Sequence, residues 1–119
     1  MTTPEFTNAM LGRAVFDGLG ERLGNLAALF SDTDTDAIAF ASVAMLRRGR
    51  RRLVFVPLVG ARIEPDAITL RCGKQLVCRA PSVQAGHPLP ADVEPTLFAH
   101  YDLPYTPATG AARRLAPAD

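Results

Sequence analysis

The sequence has few of the features that mark a secreted, membrane-spanning or strongly charged protein. Only two of its 119 residues are cysteines, which is too few for a disulfide framework. The formal net charge of +1 argues against a strong overall attraction to nucleic acid or to an anionic membrane. No apolar run reaches the ~20 residues that span a bilayer, and residues 1–10 lack the basic and apolar regions of a secretory signal. We therefore expect a single-domain, cytoplasmic protein.

Residues that carry catalysis or bind metal are equally sparse. Cys72 and Cys78 form no CxxC motif and have no histidine nearby, whereas a zinc site needs four suitably spaced ligands. The two histidines are His87 and His100, and the sequence offers His100 no partner for a general-base role. We expect no catalytic residue, no bound metal and no cofactor, and hence a protein that is not an enzyme. The alternative, a small-ligand or redox enzyme, depends on the two cysteines alone.

One acidic turn has the alternating spacing with which a calcium loop begins. Asp32, Asp34 and Asp36 alternate with threonines. An EF-hand loop that began at Asp32 would need glycine at its sixth position and glutamate at its twelfth. The sequence has Ala37 and Val43 at those positions. The pattern favours a polar turn, in which aspartate side chains bind nearby backbone, over a cation site.

The clearest positive feature is the segment Arg47–Leu58, which reads RRGRRRLVFVPL. Arginines surround Gly49 and lead into an alternating apolar strand that ends at Pro57, so the segment predicts a β-hairpin with a charged tip. The tip is either a solvated turn that prevents edge-to-edge aggregation or a site for an anionic protein or nucleic acid. No aromatic residue lies between the arginines, so bases would have no stacking platform there. The candidate partner-binding residues are Arg47, Arg48, Arg50, Arg51 and Arg52.

The strand predicted before this hairpin, Ala37–Leu46, is apolar on both faces. Strands with this pattern are covered on both sides. A small barrel or rolled sheet has too few residues to cover both faces, and the flatter face allows close approach of a second copy. Two-fold dimers are the commonest assemblies. We therefore expect a homodimer, with an interface formed by Ala39, Ala41, Val43 and Met45.

Composition divides the chain into four predicted regions. Residues 1–10 are predicted to be an N-terminal arm, and residues 11–79 a small barrel whose strand patterns lie in residues 11–71. Seven of the ten prolines follow these strands, and because proline lacks an N–H and fixes φ, we expect no strand there. Residues 80–105 are expected to form a strap packed along the barrel, with a short helix at Ala91–His100. Residues 106–119, rich in alanine and proline, are expected to be a flexible tail.

Several short motifs, in order and spacing, resemble the PRC-barrel domain family. That family's opening strand, its D-x-x-G turn and a glycine in its second strand resemble LGRAVFDGLGERLGNLAALFSD, with the turn at Asp17–Gly20 and the glycine at Gly24. Its second half, where an apolar strand ends in V-P, resembles RRLVFVPLVGARIEPDAITL, with Val56-Pro57 as the dipeptide. The segments after the barrel resemble KQLVCRAPSV and HPLPADVEPTLFAHYDLPY. Together the motifs cover roughly residues 11–105.

The resemblance implies a mainly β fold: a small six-stranded PRC-type β-barrel with a short C-terminal helix and a proline-rich strap. The family occurs in the cytoplasmic subunit of photosynthetic reaction centres, in a ribosome maturation factor and in small stand-alone proteins. Its barrel mediates contacts and has no catalytic residues. We therefore expect a non-enzymatic, self-associating interaction module that docks onto an unidentified protein partner. The alternative is an RNA- or ribosome-associated factor that binds through Arg47–Arg52.

Overall fold

Short apolar stretches separated by glycine, aspartate and proline form the strands of this chain, as their alternation predicts. The computed structural model describes residues 11–47, 49–64, 66–84, 89–106 and 113–117. A short 3₁₀ turn, Ala91–Val93, leads into the second of two helices. The elements are β1 (Ala14–Phe16), β2 (Arg22–Asp32), β3 (Ile38–Arg47), β4 (Arg50–Pro57), β5 (Arg62–Ile63), β6 (Ala67–Thr69), α1 (Lys74–Cys78), β7 (Ser82–Gln84), α2 (Glu94–His100) and β8 (Leu115–Pro117).

The eight strands of the described residues belong to one mixed sheet, in the order β5-β6-β1-β2-β3-β4-β7. Strands β1 to β4 pair antiparallel in succession, and β1 pairs parallel with β6. Strand β8 pairs with β2 beyond the end of β1, so these two short strands share one edge of β2 while β3 occupies the other. The predicted mainly β class with a short helix is confirmed. The sheet differs from the expected six strands because β7 and β8 extend it, and its described pairing is an open path from β5 to β7.

The long strand β3 lies in the core, and both of its faces are covered, as predicted. Four successive residues, Phe40 to Val43, are buried, which requires cover on both sides of the sheet. Helix α2 contributes to the cover of one face, since the rings of Phe40 and Phe98 are 5.0 Å apart. The hydroxyl of Tyr101 reaches the neighbouring strand and donates a hydrogen bond of 2.7 Å to the carbonyl oxygen of Phe55. One chain therefore covers β3 by itself.

The proline-rich region contains a strand, so the expectation that it has none is wrong. Strand β7 pairs antiparallel with β4 through residues 52–54. Its sequence, Ser-Val-Gln, lies between Pro81 and Pro88, so its three backbone N–H groups are intact. Proline spacing, rather than proline density, decides where an edge strand can form.

The region predicted to be a flexible tail also differs from expectation. Strand β8 pairs antiparallel with Phe30–Asp32 of β2, and its Leu115 is buried. Pro117 is compatible with this strand because β8 pairs only with β2 and leaves its other edge unpaired in the described residues. The other residues beyond 106, like the N-terminal arm at 1–10, lie outside the described ranges.

We predict that Gly24→Ala destabilises the fold, because β3 passes too close to β2 for a side chain at this position. A Cβ on Gly24 would lie 2.1 Å from the carbonyl oxygen of Ala44. The expected loss in free energy of unfolding is about 1–3 kcal/mol, as for other overpacked sites, measured by urea denaturation. The control is Gly73→Ala, whose Cβ would meet nothing within 4 Å. Equal stability of the two variants would contradict the close approach of β2 and β3.

Candidate interaction surfaces

The arginine-rich segment forms the predicted hairpin between β3 and β4. Arg47 pairs with Arg50 across the turn, and Gly49 has a φ of 76°, the left-handed conformation that favours glycine. The side chains of Arg47 and Arg48 lie outside the described part of the structure. Arg50 and Arg51 are exposed, as a charged tip requires.

Arg52 does not belong to the exposed group with which the sequence placed it. Its guanidinium Nη2 donates to the hydroxyl oxygen of Ser82 at 3.0 Å and to the Ser82 carbonyl oxygen at 3.2 Å. The side chain is partly buried and ties β4 to the start of β7. Sequence reasoning missed this contact because it could not place β7 beside β4. Arg52 is therefore a structural residue as much as a candidate binding residue.

The exposed end of the hairpin continues into a cleft of about 320 Å³ that sequence reasoning did not identify. Leu46 is 78% exposed, and it lies directly opposite Arg51 in the β3–β4 register. Arg22 of β2 lines the same cleft and donates a 3.3 Å hydrogen bond to the side-chain oxygen of Asn25. We call this surface the basic cleft; it is lined by Arg22, Leu23, Gly24, Asn25, Ala44, Met45, Leu46 and Arg51. None of these described residues is acidic, so the cleft is cationic with an apolar side chain at its edge.

The four residues predicted to form a dimer interface lie in or against the core of a single chain. Ala41 is 1% exposed and Val43 is 0% exposed, and Met45 is also buried. Ala39 is half-buried and packs against the same cluster. Both faces of β3 are covered, as predicted, and strands and helices of the same chain contribute the cover. A homodimer through these residues stays a prediction.

A buried carboxylate holds the C-terminal strand in place. Glu94, at the start of α2, is 0% exposed. Its Oε1 accepts a 2.8 Å hydrogen bond from the backbone N–H of Arg114, and its Oε2 accepts one of 2.9 Å from the N–H of Leu115. The hydroxyl of Tyr105 donates to Oε1 at 3.2 Å, and burial together with this carboxylate raises the pKa of Tyr105. The Nε of Arg113 lies 3.9 Å from Oε2. The carboxylate thus receives donors on both oxygens, which a buried charge requires.

The carboxylates of Asp32, at the end of β2, and of Asp34, in the turn that follows, bind an arginine. The Nε of Arg114 lies 2.8 Å and 2.9 Å from the two carboxylate oxygens of Asp32. Its Nη1 lies 3.5 Å from a carboxylate oxygen of Asp34 and donates to Thr106. The Asp32 carboxylate also accepts from the backbone N–H of Asp34, which is the predicted aspartate turn. Burial opposes ionisation of Asp32, but the hydrogen bond and positive charge of Arg114, together with backbone N–H donors of the turn, outweigh burial and lower the pKa of Asp32.

These contacts define a second surface, which we call the tail groove. It consists of the Phe30–Asp32 edge of β2, Thr33, Leu89, Glu94 and Tyr105, and it holds residues 113–117. Thr33 contributes twice: its N–H donates to the carbonyl oxygen of Arg114 at 2.8 Å, and its hydroxyl donates to that of Arg113 at 2.8 Å. The guanidinium of Arg113 donates to the carbonyl oxygen of Leu89. No sequence motif predicts this groove, because its parts are far apart in the chain.

A second buried carboxylate, Asp17, organises the opposite end of the sheet. Its Oδ1 accepts from the N–H groups of Leu19 and Glu21, and its Oδ2 accepts from the N–H of Lys74 at the start of α1. Burial would raise the pKa of Asp17, but the backbone donors outweigh burial and lower it. Asp17 therefore joins the predicted D-x-x-G turn to α1 and serves the fold.

The remaining candidate groups form no reactive cluster in the described residues. Cys72 and Cys78 are not joined in a disulfide, and burial raises the pKa of Cys72, which disfavours its reactive thiolate form. The Nε2 of His100 lies 2.6 Å from the carbonyl oxygen of Leu76, and His87 lies outside the described residues. The described ranges contain no group of three or more histidine, cysteine, aspartate or glutamate side chains placed to hold a metal ion.

We predict that Asp17 contributes stability at neutral pH that disappears in acid. A carboxyl group whose pKa is lower in the folded than in the unfolded chain stabilises the fold above its unfolded pKa of about 3.9. That contribution is lost as the pH falls through the lower, folded pKa. In Asp17→Asn the melting temperature at pH 7 should fall below that of the wild type, and the difference should shrink below about pH 4.

Thermal unfolding followed by circular dichroism between pH 7 and pH 2.5 tests this dependence. The control is the exposed Asp66→Asn, which should change stability by no more than about 0.5 kcal/mol at neutral pH. A difference between Asp17→Asn and the wild type that stays constant across the whole pH range would rule out the linkage.

No family model matches this chain, and no curated protein matches it. Within the described residues no helix is both long and apolar enough to cross a membrane. The two surfaces of the described residues that can bear on function are the basic cleft and the tail groove.

Proposed function

We propose that the protein is a non-enzymatic interaction module of the PRC-barrel type, and that it docks an acidic segment of a protein partner in the basic cleft. The observation that carries this proposal is the placement of Arg22, Arg51 and exposed Leu46 around one cleft, with no acidic residue among its described lining. Charged and apolar groups together suit a peptide better than a simple ion.

The PRC-barrel assignment is supported by the motifs that carry the resemblance. The D-x-x-G motif forms a hydrogen-bonded turn, with the N–H of Gly20 donating to the carbonyl oxygen of Asp17 at 3.1 Å. Gly24 lies in β2, where close approach of β3 excludes a side chain. Val56-Pro57 ends β4, and a two-strand hairpin, β5–β6, follows. On this proposal the sheet is the rolled sheet of that family with two strands added, in a cytoplasmic protein.

Charge and shape favour an acidic protein segment as the occupant. Carboxylates pair with guanidinium groups through charge-assisted hydrogen bonds. Both cleft arginines are exposed, and the structure shows for Arg22 only the bond to Asn25, so they are accessible to such a partner. Leu46 offers an apolar contact that would be removed from water on binding, which stabilises a complex in proportion to the area buried. The occupant is therefore an acidic segment that carries an apolar side chain.

RNA is the second candidate, because Arg50 and Arg51 are exposed at the hairpin tip. Non-specific RNA binding combines a cationic surface with aromatic platforms for the bases. The residues that line the basic cleft include no aromatic side chain. The basic cleft therefore provides the charge for RNA but not the stacking, and an acidic protein segment fits it better.

Binding of an acidic peptide tests the proposed function. The probe is a fluorescein-labelled peptide of glutamates with a central leucine, compared with a labelled single-stranded uridine oligonucleotide of equal length. Fluorescence anisotropy should show tighter binding of the peptide, weakening as salt screens the charges over the ~8 Å Debye length of physiological ionic strength. Arg22→Ser with Arg51→Ser should weaken peptide binding at least about tenfold, which corresponds to about 1.4 kcal/mol.

The matched control replaces two exposed arginines that do not line the cleft, Arg62→Ser with Arg79→Ser. Both double variants remove two positive charges, so a difference between them reports the cleft and not the net charge. Unfolding curves close to that of the wild type are expected for both, because surface substitutions change stability by about 0.5 kcal/mol or less. Tighter binding of the oligonucleotide, or equal losses in the two variants, would overturn the proposal.

A further inference from the structure

The last described segment of the chain occupies its groove in the way that an extended peptide occupies a receptor. Residues 115–117 add a short antiparallel strand to the edge of β2, which is the geometry of β-strand addition. Beyond the strand pairing, Glu94 accepts the N–H groups of Arg114 and Leu115, and Thr33 donates to two carbonyl oxygens of the segment. The backbone of the segment is thus held by three parts of the fold, the β2 edge, Glu94 and Thr33, and none of these contacts depends on its covalent connection.

Side-chain pockets add sequence preference to this backbone recognition. The guanidinium of Arg114 binds Asp32 through both carboxylate oxygens and approaches Asp34 at 3.5 Å. The bond to Asp32 raises the pKa of Arg114. Leu115 is 2% exposed and joins the hydrophobic core. The groove therefore selects an arginine followed by a leucine in an extended chain.

The same contacts are available to an identical segment from another molecule. The polar groups that hold residues 113–117 lie in residues 30–34 and 89–106, so the groove does not distinguish its own tail from the tail of a second copy. A segment of identical sequence is complementary to the groove by necessity. Exchange of an identical element between protomers is a low-cost route to a two-fold dimer.

We propose that the tail groove binds residues 113–117 of a second copy, so that the protein forms a reciprocal, tail-exchanged dimer. In this dimer Arg114 of one protomer pairs with the Asp32 of its partner. The chain's own tail competes for the groove at an effective concentration of about 1 mM, typical of a short connection. The tail-exchanged dimer should therefore be detectable at high protein concentration, or in a variant whose tail no longer binds its own groove.

Charge reversal removes the competition within one chain. In Asp32→Arg the groove opposes its own Arg114, and in Arg114→Asp the tail opposes its own Asp32. When the two variants are mixed, the groove of each is complementary to the tail of the other, and both ion pairs form only between chains. We expect each variant alone to be a monomer and the equimolar mixture, after warming to allow exchange, to double in mass by light scattering.

The matched control reverses an ion pair that does not involve the tail. Lys74 and Glu21 lie 4.0 Å apart on the surface, and a mixture of Lys74→Glu with Glu21→Arg should remain monomeric. Melting curves establish that each variant is folded. A mixture of folded Asp32→Arg and Arg114→Asp that remains monomeric would overturn the proposal.

A second measurement keeps the proposal testable if either charge-reversed variant fails to fold. The wild-type chain is examined by light scattering from micromolar concentration to about 1 mM, the effective concentration at which its own tail competes. A dimer that grows with concentration in the wild type and is lost in Arg114→Ala supports tail exchange. A wild-type mass that stays monomeric at every concentration overturns it, as does a dimer that Arg114→Ala leaves unchanged. None of these measurements involves Arg22 or Arg51, so failure of tail exchange is distinguishable from failure of the proposed acidic-peptide site.

Discussion

The buried carboxylate of Glu94 is the contact on which the arrangement of this protein's C-terminal half depends. It lies at the start of α2, where the helix packs on the sheet, and it accepts the backbone N–H groups of Arg114 and of Leu115, the first residue of β8. A three-residue strand is too short to be stable by its own pairing. A carboxylate removed from water is costly unless its oxygens are satisfied. The carboxylate of Glu94 therefore gains hydrogen-bond donors, and the short strand β8 gains acceptors beyond its own pairing. These contacts hold α2, residues 113–117 and β2 together.

Asp17 serves the same purpose at the other end of the sheet. Its carboxylate accepts backbone N–H groups from the turn after β1 and from the start of α1. Helix α1 has five residues, which is too few for stability in isolation. Strand pairing alone does not hold either of the short elements β8 and α1. Each is anchored by an acidic side chain from elsewhere in the chain. The buried carboxylates of Asp17 and Glu94 thus contribute to the architecture.

The local elements were predictable from sequence because they follow from local chemistry. Strand alternation and Gly49 predicted the β3–β4 hairpin, and the apolar pattern of β3 predicted that both of its faces are covered. The identity of the cover was not predictable, because it depends on where α2 packs. The tail groove was missed for a similar reason: Asp32 and Arg114 are 82 residues apart, and nothing in either local sequence indicates the other. The contact of Arg52 with Ser82 was not predictable, because the proline density of residues 80–105 argued against a strand at Ser82.

Hydrogen exchange of individual backbone amides tests most directly whether Glu94 holds the tail. The amides of Arg114 and Leu115, which donate to the Glu94 carboxylate, should be protected in the wild type and exchange only when the structure opens. Glu94→Gln keeps one acceptor oxygen in place of two, so at least one of these amides should exchange much faster in that variant. The N–H groups that bind Asp17 should keep their protection, as an internal reference. Exchange of both tail amides at the rate of an unstructured peptide in the wild type would contradict the account.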